Sequence, residues 1–245
     1  MKEIARRLAR RLPEPLQDRL RATLADRRVR RKLQPVRWGS LRRLEPVSPL
    51  WGSERGTPVD RPYIGRFFAA NADAIRGRVL EVRDQAYTSR YGHSIETVDL
   101  VDIDPRNDAA TIIADLSDPG SLPAAAFDCA LIAQTLVYTR DPFLAVANVW
   151  QSLASGGTLL LTTPALARVD PAAIDEDRWH LTVAGLTEIV RRACPDGKAT
   201  VSGFGNHVTA IAFLEGIAAE ELSAAELEAT HPSFPIVVAA RVDKP

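Results

Sequence analysis

Apolar runs that are typical of buried strands alternate with helical patterns through most of the chain. A run such as Val79-Leu80-Glu81-Val82, apolar and closed by an acid, is typical of a buried parallel strand. The strands are predicted at 78–82, 97–101, 110–114, 127–133, 157–163, 199–204 and 235–242. The helices between them are predicted near 63–75, 87–92, 141–153, 182–194 and 208–221. This alternation predicts an α/β, Rossmann-like fold.

The N-terminal segment has a different pattern. Leucines recur at helical spacing over residues 2–12 and again over 16–33, where Leu16, Leu20 and Leu24 form a stripe. Residues 1–45 contain 15 Lys and Arg against 5 Asp and Glu, whereas residues 46–245 contain 16 against 26. We therefore predict a basic helical arm over 1–45 and an α/β domain over 46–245.

The charge split indicates what the arm contacts. We expect it to pack on the acidic domain, on a second subunit as a homodimer, or on a partner enzyme. An anionic membrane surface is a less favoured alternative. The basic run Arg27–Lys32 lacks interleaved aromatic residues, which argues against nucleic acid.

Composition sets further bounds. With 46% hydrophobic residues the chain can bury a sizeable core, and no apolar stretch reaches the roughly 20 residues of a membrane span. No apolar signal-peptide core is visible, so we expect a cytoplasmic protein. Cys129 and Cys194 both lie in apolar contexts and predict a reduced, structural role. No spacing of His, Cys and acids predicts a metal site.

The turn after the first predicted strand, Arg83-Asp84-Gln85-Ala86-Tyr87, organises the candidate site. In doubly wound folds a ligand lies at the carboxyl end of this strand, so the turn should face a small molecule. The second strand ends at Asp102, whose carboxylate can accept two hydroxyl hydrogen bonds from a ribose. Asp104 and Asp99 are the alternates.

Several short sequence motifs resemble those of class I S-adenosylmethionine-dependent methyltransferases. They are Val-Leu-Glu-Val at 79–82, Phe-Asp-Cys at 127–129 with Gln-Thr-Leu at 134–136, and Gly-Gly-Thr-Leu-Leu at 156–160 followed by Pro164. A narrower resemblance, through Asp84, Tyr87, Thr88 and Gly92, is to glycosyltransferase-associated bacterial methyltransferase-like proteins. The resemblance extends from Trp51 to the end of the chain. It implies a seven-stranded sheet with an antiparallel last strand, S-adenosylmethionine as cofactor, and a small-molecule acceptor such as a sugar, a glycoside or another secondary metabolite.

The resemblance also implies residue roles. In the family, the acid after the third strand accepts a bond from the adenine amino group and the next amide donates to the ring; Asp115 and Leu116 occupy these positions. Arg55, Asp60 and Tyr63 fall in a family signature and are expected to line the substrate pocket, although Asp60 could instead cap a helix. His180 and His207 are candidate bases in loops on the ligand side. The full cofactor-binding set that we expect is Glu81, Arg83, Asp84, Tyr87, Asp102, Asp115, Leu116 and Gln134.

One departure from the family pattern leaves two hypotheses open. Arg83, Gln85 and Tyr87 stand where the family carries three glycines, which let a backbone approach a ligand closely. Asp102, Asp115 and Gln134 favour an active methyltransferase. Arg83 favours a protein of the same fold without methyl transfer, either a binding subunit for a partner enzyme or an enzyme of another reaction.

Overall fold

A computed structural model describes residues 13–30 and 39–245 of the chain. The chain divides into two compact units, residues 1–44 and 45–245. In the first unit a helix, α1, spans Glu14–Arg30, and the side chains of Leu16, Leu20 and Leu24 are solvent exposed. The predicted helix over 2–12, and residues 31–33 of the second predicted helix, lie outside the described residues. Within the described ranges, no helix combines the length and apolar character that a membrane span requires.

The second unit is built on one seven-stranded sheet. The strand order is β3-β2-β1-β4-β5-β7-β6, and only β7 runs antiparallel to its neighbours. This arrangement confirms the predicted fold class. The strands are β1 Gly77–Val82, β2 Ile95–Asp102, β3 Ile112–Ile113, β4 Phe127–Ala133, β5 Leu153–Pro164, β6 Lys198–Phe204 and β7 Val237–Asp243.

Six helices accompany the sheet, and alternation along the strands divides the apolar residues between its two faces. Leu80 of β1 points into a core completed by α4 and α5, while its neighbour Val79 points into a core completed by α2 and α6. Both cysteines are free and buried, one in each core, as expected for structural residues. The helices are α2 Asp60–Ala70, α3 Ala86–Tyr91, α4 Pro142–Ser152, α5 Val183–Ala193, α6 His207–Glu215 and α7 Ala224–Glu228.

Two element boundaries differ from the prediction, one because a side chain replaces a backbone hydrogen bond and one because a glycine ends a helix. Strand β3 is limited to residues 112–113, because the Thr111 hydroxyl accepts the Leu100 N–H at 3.0 Å and takes the place of a ladder bond. Helix α6 ends at Glu215, since Gly216 adopts a left-handed φ of 69° there. A Cβ at Gly216 would lie 2.7 Å from the Ser48 carbonyl oxygen, so the close approach of these segments requires glycine.

Residues 45–59 form a cover on the domain, and backbone hydrogen bonds join Ser48 to Glu215 and Thr57 to Ala219. The Arg168 guanidinium lies 4.1 Å from the centre of the Trp51 ring and donates to the carbonyls of Ser48 and Pro49, each at 2.9 Å. Arg55 donates through Nε to Glu221 at 2.9 Å. The Arg55 side chain therefore fastens the cover to the domain.

Candidate functional site

The strand order places the topological switch point between β1 and β4, from which the chain proceeds to opposite sides of the sheet. In open α/β sheets the crevice at the carboxyl ends of these strands is the usual ligand site. Two non-glycine residues at this edge have a left-handed backbone, Arg83 after β1 with φ 73° and Gln134 after β4 with φ 51°. Such strain is costly and often marks a functional position.

Arg83 adopts the backbone conformation that glycine takes without strain. Its N–H donates to the Val101 carbonyl at 2.9 Å, and its carbonyl accepts from Asn107 Nδ2 at 2.8 Å. The loops that follow β1 and β2 are therefore tied together. Arg83 therefore combines a bulky side chain with a backbone conformation that favours glycine.

Glu81 and Asp84 both organise this turn. The buried Glu81 carboxylate accepts the N–H of Tyr87 at 2.8 Å and that of Thr88 at 2.9 Å, which fixes the first turn of α3. Burial raises the pKa of Glu81 despite these bonds. The exposed Asp84 accepts the Ala86 N–H at 3.0 Å. Their expected cofactor contacts stay predictions, and the contacts seen here position the loop.

Asp102 lies at the carboxyl end of β2 with spare acceptor capacity. Its Oδ1 accepts the Asp104 N–H at 3.0 Å, and its Oδ2 accepts Asn107 Nδ2 at 2.7 Å. A carboxylate has about four lone-pair sites, so each oxygen can accept one further hydroxyl. The carboxylate is thus held in place and can still receive two ribose hydroxyls.

The two alternates to Asp102 are engaged elsewhere. Asp99 accepts Arg78 Nε at 2.8 Å and the Thr111 hydroxyl at 3.0 Å. Asp104 accepts Nε of Arg106 at 2.9 Å and Nη2 of the same guanidinium at 2.8 Å, which lowers the pKa of Asp104 to about 2. Of the three acids, Asp102 therefore has the most acceptor capacity left for a ligand, and its role as ribose ligand stays a prediction.

Sequence reasoning missed two residues beside Asp102. Asn107 bridges the β1 and β2 loops, as described above, and a lone asparagine in a loop carries no signal of that role. Ile103 is 65% exposed although it is isoleucine. An exposed apolar side chain directly after the candidate ribose ligand offers a surface for a flat base, and its position could have indicated this.

Asp115 and Leu116 follow β3 on the same edge. Burial would raise the pKa of Asp115, but bonds from the Ser117 N–H at 2.7 Å and from Arg140 Nε at 2.9 Å outweigh it and lower the pKa. Leu116 is buried, and its carbonyl accepts from Asn148 Nδ2 at 2.7 Å. Its N–H makes no hydrogen bond to another residue of the described ranges, so it can donate to a ligand.

Gln134 directly follows β4, and both its backbone and its side chain contact Thr162 of β5. Its N–H donates to the Thr162 carbonyl at 2.8 Å, and its Nε2 lies 3.4 Å from the Thr162 hydroxyl. These contacts retain Gln134 at the switch point in its left-handed conformation.

Asp60 and Tyr63 lie on the first turn of α2 and are both buried. The helix begins at Asp60 itself and is preceded by Val59, so the alternative role of Asp60 as the helix cap is wrong. Asp60 Oδ1 and the Tyr63 hydroxyl are inaccessible and have no hydrogen-bond partner among the described residues. Burial raises the pKa of Asp60, and Nε of the 54%-exposed Arg61 lies 3.8 Å from its Oδ2.

Two tyrosines near Arg61 complete this part of the edge. The Tyr87 ring lies 4.4 Å from the Phe68 ring, centre to centre, and burial raises the pKa of Tyr87 although the nearby Arg61 opposes this. The Tyr138 hydroxyl donates to Asp170 Oδ2 at 3.2 Å. Burial and the Asp170 charge raise the pKa of Tyr138 to about 12. Sequence reasoning did not assign a role to Arg61 or Tyr138.

The two candidate histidines have different surroundings. His180 Nε2 lies 2.8 Å from Oδ1 of the buried Asp177, whose Oδ2 accepts the Asp170 N–H at 2.7 Å. His207 is exposed at the start of α6, beside the edge strand β6, with its ring 5.2 Å from the Phe234 ring. Of the two, His180 has the carboxylate partner that orients a general base. The structure does not bring His207 into contact with the other candidate residues.

The opposite edge of the sheet contains a cleft of about 450 Å³. Three of its six charged residues are paired with one another, since Arg241 contacts Asp73 at 3.1 Å and Asp243 at 3.0 Å. It lies at the amino ends of the parallel strands, away from the switch point. In the part of the chain that the structure describes, no group of three or more His, Cys, Asp or Glu side chains could hold a metal ion.

Comparisons with known proteins support the fold. No family model and no curated protein matches the sequence. Among solved structures, a methyltransferase from Mesorhizobium loti that depends on S-adenosylmethionine has a TM-score of 0.51 at 17% identity, over 76% of this chain and 98% of that one. The N-methyltransferase NodS from Bradyrhizobium japonicum, solved with S-adenosyl-L-homocysteine, has a TM-score of 0.50 at 15% identity, over 77% and 89%. The cyclase SpnF has a TM-score of 0.50 at 16% identity, over 74% and 80%.

Identities this low establish architecture and leave activity open. The strand order, the antiparallel seventh strand and these similarities agree with one another. The chain has the Rossmann-like, seven-stranded α/β fold of class I S-adenosylmethionine-dependent methyltransferases.

Proposed function

We propose that the protein is an S-adenosylmethionine-dependent methyltransferase that acts on a small molecule such as a sugar, a glycoside or another secondary metabolite. The observation that carries this proposal is the pair of left-handed residues, Arg83 and Gln134, on either side of the switch point. A folded chain tolerates such backbones where the surrounding structure demands them, most often at ligand sites. Asp102 lies on the adjoining strand with its carboxylate already oriented.

The groups at this edge fit the adenosine half of the cofactor. Asp102 would accept the ribose hydroxyls, the Leu116 N–H would donate to the adenine ring, and Ile103 would contact its flat face. Asp115 has one carboxylate oxygen on Ser117 and one on Arg140, with lone pairs left for the adenine amino group. The Arg83 guanidinium would pair with the carboxylate of the methionine end. When bound, S-adenosylmethionine supplies an electrophilic methyl group.

The remaining requirement is to align the acceptor and to take up its proton. Asp60 is one candidate for this role, because a raised pKa makes its carboxylate a stronger base than an exposed one. His180 can do it at Nδ1, since Asp177 holds Nε2. Tyr63 and Tyr87 flank the start of α2 and the turn, where they would confine the acceptor.

A second function is favoured by one observation. Arg83, Gln85 and Tyr87 replace the three glycines of the family turn, and their side chains fill space that glycines leave to the methionine end. The cyclase SpnF, to which this chain is similar at 16% identity, has a similar fold. The alternative is a protein of this fold without methyl transfer, either an enzyme of a different reaction or a binding subunit that meets its partner enzyme through the basic arm.

Titration calorimetry with S-adenosyl-L-homocysteine tests the proposal. Wild type should bind, and Asp102→Ala should weaken binding about tenfold or more, because two hydroxyl bonds to a carboxylate are lost. Asp104→Ala is the matched control, since it removes a neighbouring acid that is paired with Arg106. Absence of binding, or equal losses in both variants, would remove the cofactor site and leave the second function.

A further inference from the structure

Asn107 joins the loops that follow β1 and β2 at the candidate cofactor site. Its Nδ2 lies 2.8 Å from the Arg83 carbonyl oxygen and 2.7 Å from Asp102 Oδ2. A carboxamide has two N–H donors, so Asn107 donates one to each acceptor. One acceptor belongs to the turn after β1 and the other lies at the end of β2, so a single side chain contacts both.

The surrounding hydrogen bonds fix the orientation of the Asn107 side chain. Its Oδ1 accepts the Ala109 N–H at 3.1 Å, whereas both partners of Nδ2 are acceptors. A flipped amide would place Oδ1 against a carboxylate and a carbonyl, so the network allows one orientation. The Asn107 N–H donates to the Asp104 carbonyl at 3.1 Å, and its carbonyl accepts the Ala110 N–H at 3.0 Å. Asn107 is therefore a fixed link between the two loops.

The link reaches a strained residue. Arg83 has a left-handed φ of 73°, and a non-glycine residue keeps such a backbone only where its surroundings impose it. Its N–H donates to the Val101 carbonyl at 2.9 Å, and its carbonyl accepts from Asn107. Both partners belong to the end of β2 or to the loop after it. The position of the β2 loop therefore determines the conformation of the Arg83 turn.

We infer that Asn107 is a positioning residue that couples the ribose end of the cofactor site, at Asp102, to the methionine end, at Arg83. It acts through these two residues and touches no reacting group. Because both bonds come from one amide, a change at the Asp102 carboxylate is transmitted to the Arg83 carbonyl, and occupancy of one end alters affinity at the other. The role toward the cofactor rests on the proposed function, whereas the coupling of the two loops does not.

Asn107→Asp tests the inference with almost no change in shape. An oxygen replaces the donating NH₂, so at neutral pH both bonds from the amide become repulsions. At lower pH the two facing carboxyl groups share a proton, and an O–H donor returns. Affinity for S-adenosyl-L-homocysteine, measured by calorimetry relative to wild type, should fall about tenfold at about pH 8, and the loss should shrink at least threefold at about pH 5. A loss that is equal at both pH values, or no loss, would overturn the inference.

Two further variants complete the test. Asn71→Asp makes the same change at the opposite edge of the sheet, where Nδ2 donates to the Phe67 carbonyl at 2.8 Å and Oδ1 accepts from Arg241 at 3.2 Å. It should bind as wild type does at both pH values. Asn107→Ala removes both donors without adding a charge, and it keeps the test available if Asn107→Asp does not fold. It should weaken S-adenosyl-L-homocysteine about threefold more than adenosine, which lacks the methionine end, and equal losses would refute the coupling.

Urea unfolding without ligand separates the inference from the proposed function. In Asn107→Asp the folded carboxyl pair has a raised pKa, so its contribution to stability is fully present below the unfolded pKa of about 3.9 and is lost as pH rises through the folded value. The variant should therefore be closer to wild type in stability at about pH 5 than at about pH 8. If this trend appears but no protein binds S-adenosyl-L-homocysteine, the proposed function fails and the loop coupling stands. If wild type binds but the trend is absent, the inference fails alone.

Discussion

Replacement of Arg83 by glycine tests whether the chain stores backbone strain at the switch point. Arg83 has φ 73°, its side chain is exposed, and both of its backbone polar groups are hydrogen bonded. The substitution therefore leaves the backbone bonds intact and removes a Cβ from a position that disfavours one.

The expected magnitude is a balance of two effects. A left-handed conformation costs an L-residue roughly 1–2 kcal/mol. Glycine adds conformational entropy to the unfolded chain, which offsets about 0.4–1 kcal/mol of that gain. The net effect is a stabilisation of about 0.8 kcal/mol, the midpoint of a range of about 0–1.6 kcal/mol, or a rise in Tm of about 2–3 °C for a chain of this length.

Urea unfolding and thermal melts of three variants measure this effect. Arg83→Ala removes the side chain but keeps Cβ, so it should not gain the stability that Arg83→Gly gains. Arg90→Gly, in α3, should lose about 1 kcal/mol because glycine is a poor helix former. If Arg83→Gly is no more stable than Arg83→Ala, the strain argument fails, and with it the observation that carries the proposed function.

Four further predictions follow from the site and the arm. Tyr63→Phe should raise the free energy of unfolding by about 1 kcal/mol in the absence of ligand, because it removes an unpartnered buried hydroxyl; a loss on denaturant unfolding would show a hidden partner. The raised pKa of Asp60 means that its contribution to stability is fully present below the unfolded pKa of about 3.9 and is lost as pH rises through the folded value. Asp60→Asn should therefore gain stability relative to wild type as pH rises, and a difference that is constant with pH would contradict this. Wild type should bind S-adenosylhomocysteine more tightly than S-adenosylmethionine, since Arg83 repels a sulfonium, and Arg83→Gly should shift that ratio towards S-adenosylmethionine in calorimetry. Deletion of residues 1–33 should change the hydrodynamic size class, that is the oligomeric state, or lower the Tm. A truncated protein that matches full length in both would show that the arm is a free tail.

The sheet was predictable because its central strands, β1, β4 and β5, are largely buried and read as apolar runs. Phe127–Ala133 was predicted with its observed bounds. Boundaries failed where a single side chain replaces a backbone bond, as Thr111 does, or where a glycine ends a helix, as Gly216 does. The Thr111 contact depends on tertiary proximity, which no local pattern contains, whereas Gly216 is a local helix-end signal that the predicted helix over 208–221 missed.

The place of a candidate site residue was predictable where the end of a strand determines it. The place of Asp102 at the end of β2 could be predicted from the strand pattern, whereas the substrate-pocket roles expected for Asp60 and Tyr63 from the family resemblance stay predictions. Whether the polar atoms of Asp60 and Tyr63 have hydrogen-bond partners could not be predicted, since the absence of a partner for Asp60 Oδ1 depends on every segment packed around it. The role of Asn107 requires two loops to meet, and the sequence separates it from Arg83 by 24 positions.

A crystal structure of the protein grown with S-adenosyl-L-homocysteine tests the central claim most directly. The account predicts the ligand at the carboxyl ends of β1, β2 and β4, with both ribose hydroxyls on the Asp102 carboxylate, the adenine between Ile103 and the Leu116 N–H, and the amino-acid carboxylate on Arg83. A ligand bound away from Asp102, or an edge that stays empty at saturating concentration, would contradict it.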